Sequence, residues 1–148
     1  PIKRTTHLSY IRNQLKHDIN QQNLSVEDIS GGVRIIVFGS DLFKPSSAQL
    51  TQQKEITIAN IIATLKNTPG FIQVTGHTDD IPIRTLQFPS NWELSSKRAN
   101  TIVKLIQTHL PEREIVGEGV ADSSPIVPND SNKNRAINRR IEINLYTI

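Results

Sequence analysis

Residues 71–80, FIQVTGHTDD, and residues 90–109, SNWELSSKRANTIVKLIQTH, decide the reading of the fold. Phe71 to Thr75 reads as a strand that ends in Gly76-His77-Thr78-Asp79-Asp80. Ser90 stands three residues before Glu93, which is capping-box spacing, and Pro111 closes the helix that follows at about His109. Projected at about 100° per residue from Asn91, the residues Leu94, Ala99, Ile102, Val103, Leu105 and Ile106 share one arc. Glu93, Lys97, Asn100, Lys104 and Gln107 take the other. Asn91, Ser95 and Arg98 fall inside the apolar arc, at about 0°, 40° and 340°. Because Lys97 and Lys104 already hold the solvent face, Arg98 is expected to point inward. An unpaired charge there is costly, so it needs an anionic partner.

Asp79 is the obvious partner. It lies just past a strand end, on the connection to the Arg98 helix, where open α/β sheets usually bind ligands. Two arrangements fit. One is a direct Asp79–Arg98 bridge that closes the domain. The other is a split pair with room between for an amino-acid zwitterion, its ammonium on Asp79 and its carboxylate on the Arg98 fork. Arg139 shares parity with Ile141, Ile143 and Leu145 and points along the core face, while Arg140 points the other way. Arg139 fits either an extension of the anion site or a structural salt bridge.

The rest of the chain builds outward from this centre. Leu8, Ile11, Leu15 and Ile19 predict a helix over 8–22, followed by a polar stretch around Asn23. Gly31-Gly32 breaks the chain, and Val33 to Phe38 reads as a strand. A loop with Asp41, Phe43 and Pro45 follows, then a helix from about Ser47 to Asn67 that buries Leu50, Ile58, Ile61, Ile62 and Leu65. Residues 81–90 form a loop with two prolines. Another strand is expected near Glu114–Glu118, a helical turn around Lys133–Ile137, and a half-buried final strand over Ile141–Leu145. The order β-α-β-α-β-β behind an N-terminal helix implies an α/β (α+β) sandwich with a mixed sheet. Residues 1–30 are read as N-terminal helix and linker, and 31–148 as the domain proper.

Composition narrows the function classes. The chain has 148 residues, a net charge of +3, 36% hydrophobic and 21% charged residues, so one ordinary core is available and disorder is not indicated. Its polar bulk is uncharged: 12 Asn, 9 Gln, 12 Ser and 12 Thr. The absence of cysteine removes disulfides, zinc-thiolate sites and cysteine nucleophiles together. His77, Asp79 and Asp80 suggest a metal, but His7, His17 and His109 form no ligand-like cluster with them. No phosphate loop or nucleophile elbow appears, and no cofactor is implied. Nucleic acid is excluded as a partner, because the basic residues are scattered and Trp92 and the two Tyr form no stacking strip. Asn23-Leu24-Ser25 and Asn129-Asp130-Ser131 match the short glycosylation pattern. With no Met and a start at Pro1, the chain reads as a piece of a larger protein whose remainder carries a targeting or membrane segment. Within it, no stretch approaches the roughly 18 apolar residues of a span.

Gly76-His77-Thr78-Asp79, Asn91-x-x-Leu94-Ser95-x-x-Arg98-Ala99, Gly117-x-Gly119 and Asn138-Arg139-Arg140-x-Glu142-Ile143 together resemble the OmpA-like peptidoglycan-binding domain, from about Val33 to Leu145. The resemblance implies a β/α sandwich and a non-catalytic wall-binding module. In that family the positions of Asp79 and Arg98 grip the diaminopimelate of the stem peptide. Thr78, Asn91 and Leu94 would line the site and Arg139 would assist.

Phe88 to Ser95 is similar to the flagellar stator protein MotB and to the periplasmic extension of the type VI secretion subunit TssL. Gly39-Ser40-Asp41-Leu42-Phe43, Ser46-Ser47-Ala48, Ala121-Asp122-Ser123-x-Pro125 and Pro128-Asn129-Asp130 look closer to the latter. The implied location is the periplasm of a Gram-negative bacterium, as a domain of an inner-membrane-anchored protein. The implied partners are peptidoglycan, the other subunits of a membrane-anchored secretion complex, and a second copy in a homodimer. The 81–90 loop is longer than in the compact OmpA pattern and is placed to cover or reshape the pocket. A structural assembly domain, with Asp79 and Arg98 acting only as a brace, is the reading from another class.

Overall fold

The computed structural model describes residues 4–39 and 41–147, with side chains from residue 7 onward. Residues 1–3, Ser40 and Ile148 lie outside the described residues, and with them Ser40 of the 39–43 stretch and the start of the 1–30 segment. The elements are α1 (Arg4–Gln14), α2 (Lys16–Asn20), β1 (Leu24–Ile29), β2 (Gly32–Phe38), α3 (Gln52–Lys66), β3 (Phe71–His77), α4 (Asn91–His109), β4 (Ile115–Gly119), α5 (Asn132–Asn138) and β5 (Arg140–Tyr146). The five strands lie in the order β1-β2-β5-β3-β4. β3 and β4 run parallel and the other neighbours antiparallel, which gives the mixed sheet of an α/β sandwich.

Strand alternation sets the two faces. Val33, Ile35 and Val37, Ile72 and Val74, and Ile141, Ile143 and Leu145 point to one side and are essentially inaccessible. They form one core with Ile11 and Leu15, with Ile58, Ile61 and Leu65 of α3, and with Ala99, Ile102 and Ile106 of α4. Burying each large aliphatic side chain contributes about 1.5–3 kcal/mol, so this face fixes the register. The other face carries Arg34, His77, Arg140, Glu142 and Asn144, which are bonded largely to one another.

α4 lies unusually close to the sheet, and glycines are the reason. Gly76 of β3 and Gly119 of β4 are paired neighbours beneath the second turn of α4. A Cβ on Gly76 would sit 2.3 Å from the Ser95 carbonyl oxygen, and one on Gly119 would sit 2.1 Å from the Ser96 nitrogen. The Ser95 hydroxyl uses this proximity, accepting the Ala121 N–H at 3.0 Å and donating to the Trp92 carbonyl at 3.1 Å. The start of α4 is therefore fixed over the C-terminal ends of β3 and β4.

Three expectations are corrected. Leu24–Ile29 is not linker but edge strand β1, with Leu24 and Val26 in the core. The break at Gly31-Gly32 is accordingly no boundary: Ser30 and Gly31 make the hairpin turn, Gly32 opens β2 opposite Ile29, and Gly31 takes φ 81°, a conformation that favours glycine. α3 starts at Gln52 rather than near Ser47, because Lys44 N–H bonds the Gln49 carbonyl and Thr51 N–H the Leu42 carbonyl. Leu50 thus bridges to Phe43 outside the helix. The N-terminal helix is interrupted at Leu15, leaving α1 and α2. Asp18 of α2 is buried and accepts bonds from Asn23, Thr57 and Asn60, which ties this segment to α3.

Candidate functional site

The site forms where β3, the α4 N-terminus, the 41–50 loop and the α5–β5 junction meet. Ser90 caps α4 by accepting the Trp92 N–H at 3.2 Å, and its hydroxyl also bonds the Glu93 carboxylate. That cap and the glycine contact set the direction of Arg98, two turns on. Leu94 and Ser95 are buried, and Arg98 is half-buried, as its place in the apolar arc requires.

Arg98 does not bridge to Asp79. Its Nε donates to the Ser47 carbonyl at 2.8 Å, and its guanidinium lies 4.9 Å over the Phe43 ring. Its two terminal nitrogens bond no group among the described residues. Burial, and then the nearby charge of Arg139, push Arg98 down to about 10, with Asp79 acting in the opposite sense. It remains a guanidinium at neutral pH, stripped of much of its water and without a carboxylate.

Asp79 is nearly buried and is held by Arg139, whose guanidinium donates at 2.5 Å. Its other oxygen accepts the Ile81 N–H at 2.9 Å. Arg139 is the residue joining α5 to β5, not a strand residue, and its side chain is about one-third exposed. The neighbouring Asp80 pairs with Arg135 of α5 at 3.0 Å. Thr78 is buried, bonding the Ala121 carbonyl through its N–H and the Asp79 carbonyl through its hydroxyl. Asn91 clamps the preceding 81–90 loop, accepting the Ile83 N–H and donating to the Ile81 carbonyl. All six residues singled out in the sequence thus lie on segments that converge at this end of the sheet. The space enclosed by Phe43, Gly76, His77, Arg98 and Arg139 is only about 10 Å³, the size of one water.

No local pattern in the sequence marks Phe43, Ser47 or Asn138 for a role in the site. Phe43 and Ser47 seat Arg98. Asn138 is fully buried and pins the 121–131 loop, accepting the Ile126 and Val127 N–H groups and donating to the Val127 carbonyl. Behind the site, Glu142 receives the Arg140 Nε at 2.8 Å, and His77 lies 3.5 Å away. Burial pushes the Glu142 carboxyl up, but contacts with His77 and Arg140 outweigh it and hold it down at about 2. A carboxyl depressed on folding stabilises above its ordinary value, near 4.5, and loses that contribution as pH falls towards 2. Glu142→Gln is expected to flatten acid denaturation between about pH 5 and 2 by up to about 3 kcal/mol, measured by urea melts at stepped pH. An unchanged acid limb would show that this cluster does not set it.

Among the described residues no group of three His, Cys, Asp or Glu side chains is placed to hold a metal. No helix there is long and apolar enough to cross a membrane.

Residues 42–139 match the OmpA family model, which covers the site from Phe43 to Arg139. The chain belongs to the OmpA family. It is 33% identical to the cell wall anchor of the T6SS from Pseudomonas aeruginosa, with a TM-score of 0.88 over 93% of this chain and 97% of that one. It is 29% identical to the periplasmic domain of Helicobacter pylori MotB (residues 90–256), with a TM-score of 0.76 over 85% of this chain and 80% of that one. Among curated relatives, the uncharacterized protein YtxE of Bacillus subtilis is 30% identical over 92% of this chain. The chain spans 57% of that relative's length.

Proposed function

We propose that this OmpA-family domain is a non-catalytic peptidoglycan-binding module. It holds an inner-membrane secretion complex to the cell wall on the periplasmic side. The diaminopimelate of the stem peptide would place its ammonium on Asp79 and its carboxylate on Arg98, with Thr78, Asn91 and Leu94 shaping the site. The carrying observation is Arg98: a desolvated guanidinium beside a carboxylate it does not touch, with its fork unpaired among the described residues. A bidentate carboxylate would offset the burial cost and the repulsion from Arg139. Because the enclosed space is water-sized, Arg139 would turn from Asp79 towards the ligand as the ammonium enters.

The larger groove between α3 and α4, about 840 Å³, shares no lining residue with this site. Its charged groups, Glu55, Lys66 and Lys104, are exposed. A wall hydrolase is disfavoured, because Asp79 and Asp80 are each engaged by an arginine rather than set as an acid–base pair across a cleft. The secretion assignment rests on the likeness to the T6SS wall anchor over nearly the whole of both chains. The likeness to the MotB domain supports a flagellar stator as the second reading.

The test is co-sedimentation with purified sacculi. The parent chain should pellet with them, and Asp79→Asn, which keeps the shape but removes the charge, should weaken retention at least about tenfold. Equal retention of the two proteins would refute the proposed pocket.

A further inference from the structure

Six large apolar side chains are exposed among the described residues, and three of them, Ile81, Leu86 and Trp92, fall within the twelve positions 81–92, just after Asp79-Asp80. Trp92 is 53% exposed, and Leu86 is entirely so. Nothing about the loop is slack. Asp79 and Asn91 both bond the Ile81 backbone, Asn91 also holds Ile83, and Thr85 exchanges bonds with Phe88, whose ring is buried. The fold thus anchors the loop to Asp79 at one end and to Asn91 at the other, and leaves these apolar side chains facing water. Large apolar side chains held exposed on a well-anchored segment next to polar recognition groups point to a contact surface.

The occupant can be argued from composition and continuity. Trp92 presents a flat apolar plate, and its indole N–H bonds no group among the described residues. Exposed polar side chains, Arg84 and Gln87, belong to the same stretch, and Glu93 follows it. A pyranose ring has the matching character, with an apolar C–H face and hydrogen-bonding edges. A membrane surface would call for a face rich in Lys and Arg, whereas Arg84 is the only basic residue between 80 and 96. The loop is continuous with the site, since it begins on the Asp79 carboxylate, which accepts the Ile81 N–H, and is held at its end by Asn91.

We infer that Trp92, with Ile81 and Leu86, is a saccharide subsite that stacks on an N-acylated amino-sugar ring of the glycan attached to the peptide. This rests on the peptidoglycan reading and extends it from the peptide to the sugar.

Trp92 is the only tryptophan in the chain, so its emission reports on this position alone. Three probes are titrated into the intact chain: the disaccharide-tripeptide, the tripeptide without sugar, and the disaccharide without peptide. The disaccharide-tripeptide should bind about tenfold tighter than the tripeptide, the scale of one good aromatic contact, and shift the emission to the blue. The tripeptide should bind without that shift. Trp92→Ala, checked for an unchanged melt, should bind the two peptide ligands equally. Equal affinities in the parent, or a sugar increment that survives in Trp92→Ala, would overturn the subsite. So would loss of self-association in Trp92→Ala with equal ligand affinities, which would make the loop a contact between copies. A disaccharide that shifts the emission while the tripeptide fails to bind would keep the subsite and refute the Asp79–Arg98 reading.

Discussion

Arg98→Ala should lower the affinity for purified sacculi at least about tenfold, because a charged hydrogen bond is worth about 1.5–3 kcal/mol net. The same change should move the melting temperature by no more than about 4 °C. The two readouts together separate a ligand site from a brace. In the folded chain Arg98 gains one bond to the Ser47 carbonyl and one contact with Phe43. Against these stand burial of the guanidinium and its repulsion from Arg139, which together push it down to about 10. The gains and costs are of similar size, so removing the side chain leaves stability nearly level. A brace would behave otherwise, with a clear loss of stability and no wall affinity in parent or variant. Retention of Arg98→Ala on sacculi equal to the parent would exclude Arg98 from recognition. Arg98→Lys sharpens the experiment, since it keeps the charge but not the fork, and should recover only part of the affinity.

The direction of Arg98 was legible in the sequence because a helix face is a local property. Ser90 sets the phase, and Leu94, Ile102 and Ile106 define the buried arc. Asp79 was legible for the same kind of reason, as the residue just past a strand end. Which arginine takes Asp79 was not. Arg139 reaches it across 60 residues, from a short connection whose dihedrals no strand parity anticipates. Phe43 escaped because its role depends on the 41–50 loop folding back over α4, a long-range event announced only by Asp41, Phe43 and Pro45 in a loop. Strand β1 escaped because Glu27 and Asp28, types depleted in strands, leave the segment before residue 30 reading as linker, although its core residues Leu24 and Val26 alternate correctly. The glycines of the Gly76 and Gly119 motifs were visible as letters. That they bring a helix backbone onto two strands is visible only in three dimensions.

Gly119→Ala is therefore expected to cost more stability than any other single methyl added at this chain's described glycines, Gly32 and Gly39 at the two ends of β2 excepted. A Cβ at Gly119 meets the Ser96 nitrogen at 2.1 Å, the Ser95 hydroxyl at 2.4 Å and the Ser95 carbonyl carbon at 2.5 Å. Two of these three are helix backbone, which cannot rotate away. The helix must instead lift from β3 and β4, opening the contacts of Ala99, Ile102 and Ile106 with the sheet. Overpacking usually costs about 1–3 kcal/mol, and a clash with backbone belongs at or above the top of that range. A loss of about 10 °C in melting temperature follows for a domain of this size. Two other glycines calibrate the effect. Gly117→Ala meets the tip of Val103 at 2.7 Å, a side chain that can shift, and should cost less. Gly31→Ala has space, its nearest neighbour being Tyr146 at 4.0 Å, and loses only the roughly 1 kcal/mol of a left-handed turn position. The order Gly119 worst, then Gly117 and Gly31, is readable in one set of thermal melts, and a Gly119→Ala protein melting within about 2 °C of the parent would refute the close-approach account. Lifting α4 also displaces Ser95 and Arg98 from the Ser47 carbonyl and Phe43. Whatever fraction of Gly119→Ala still folds should therefore show weakened retention on sacculi, whereas Gly31→Ala, far along the hairpin, should retain the parent's affinity.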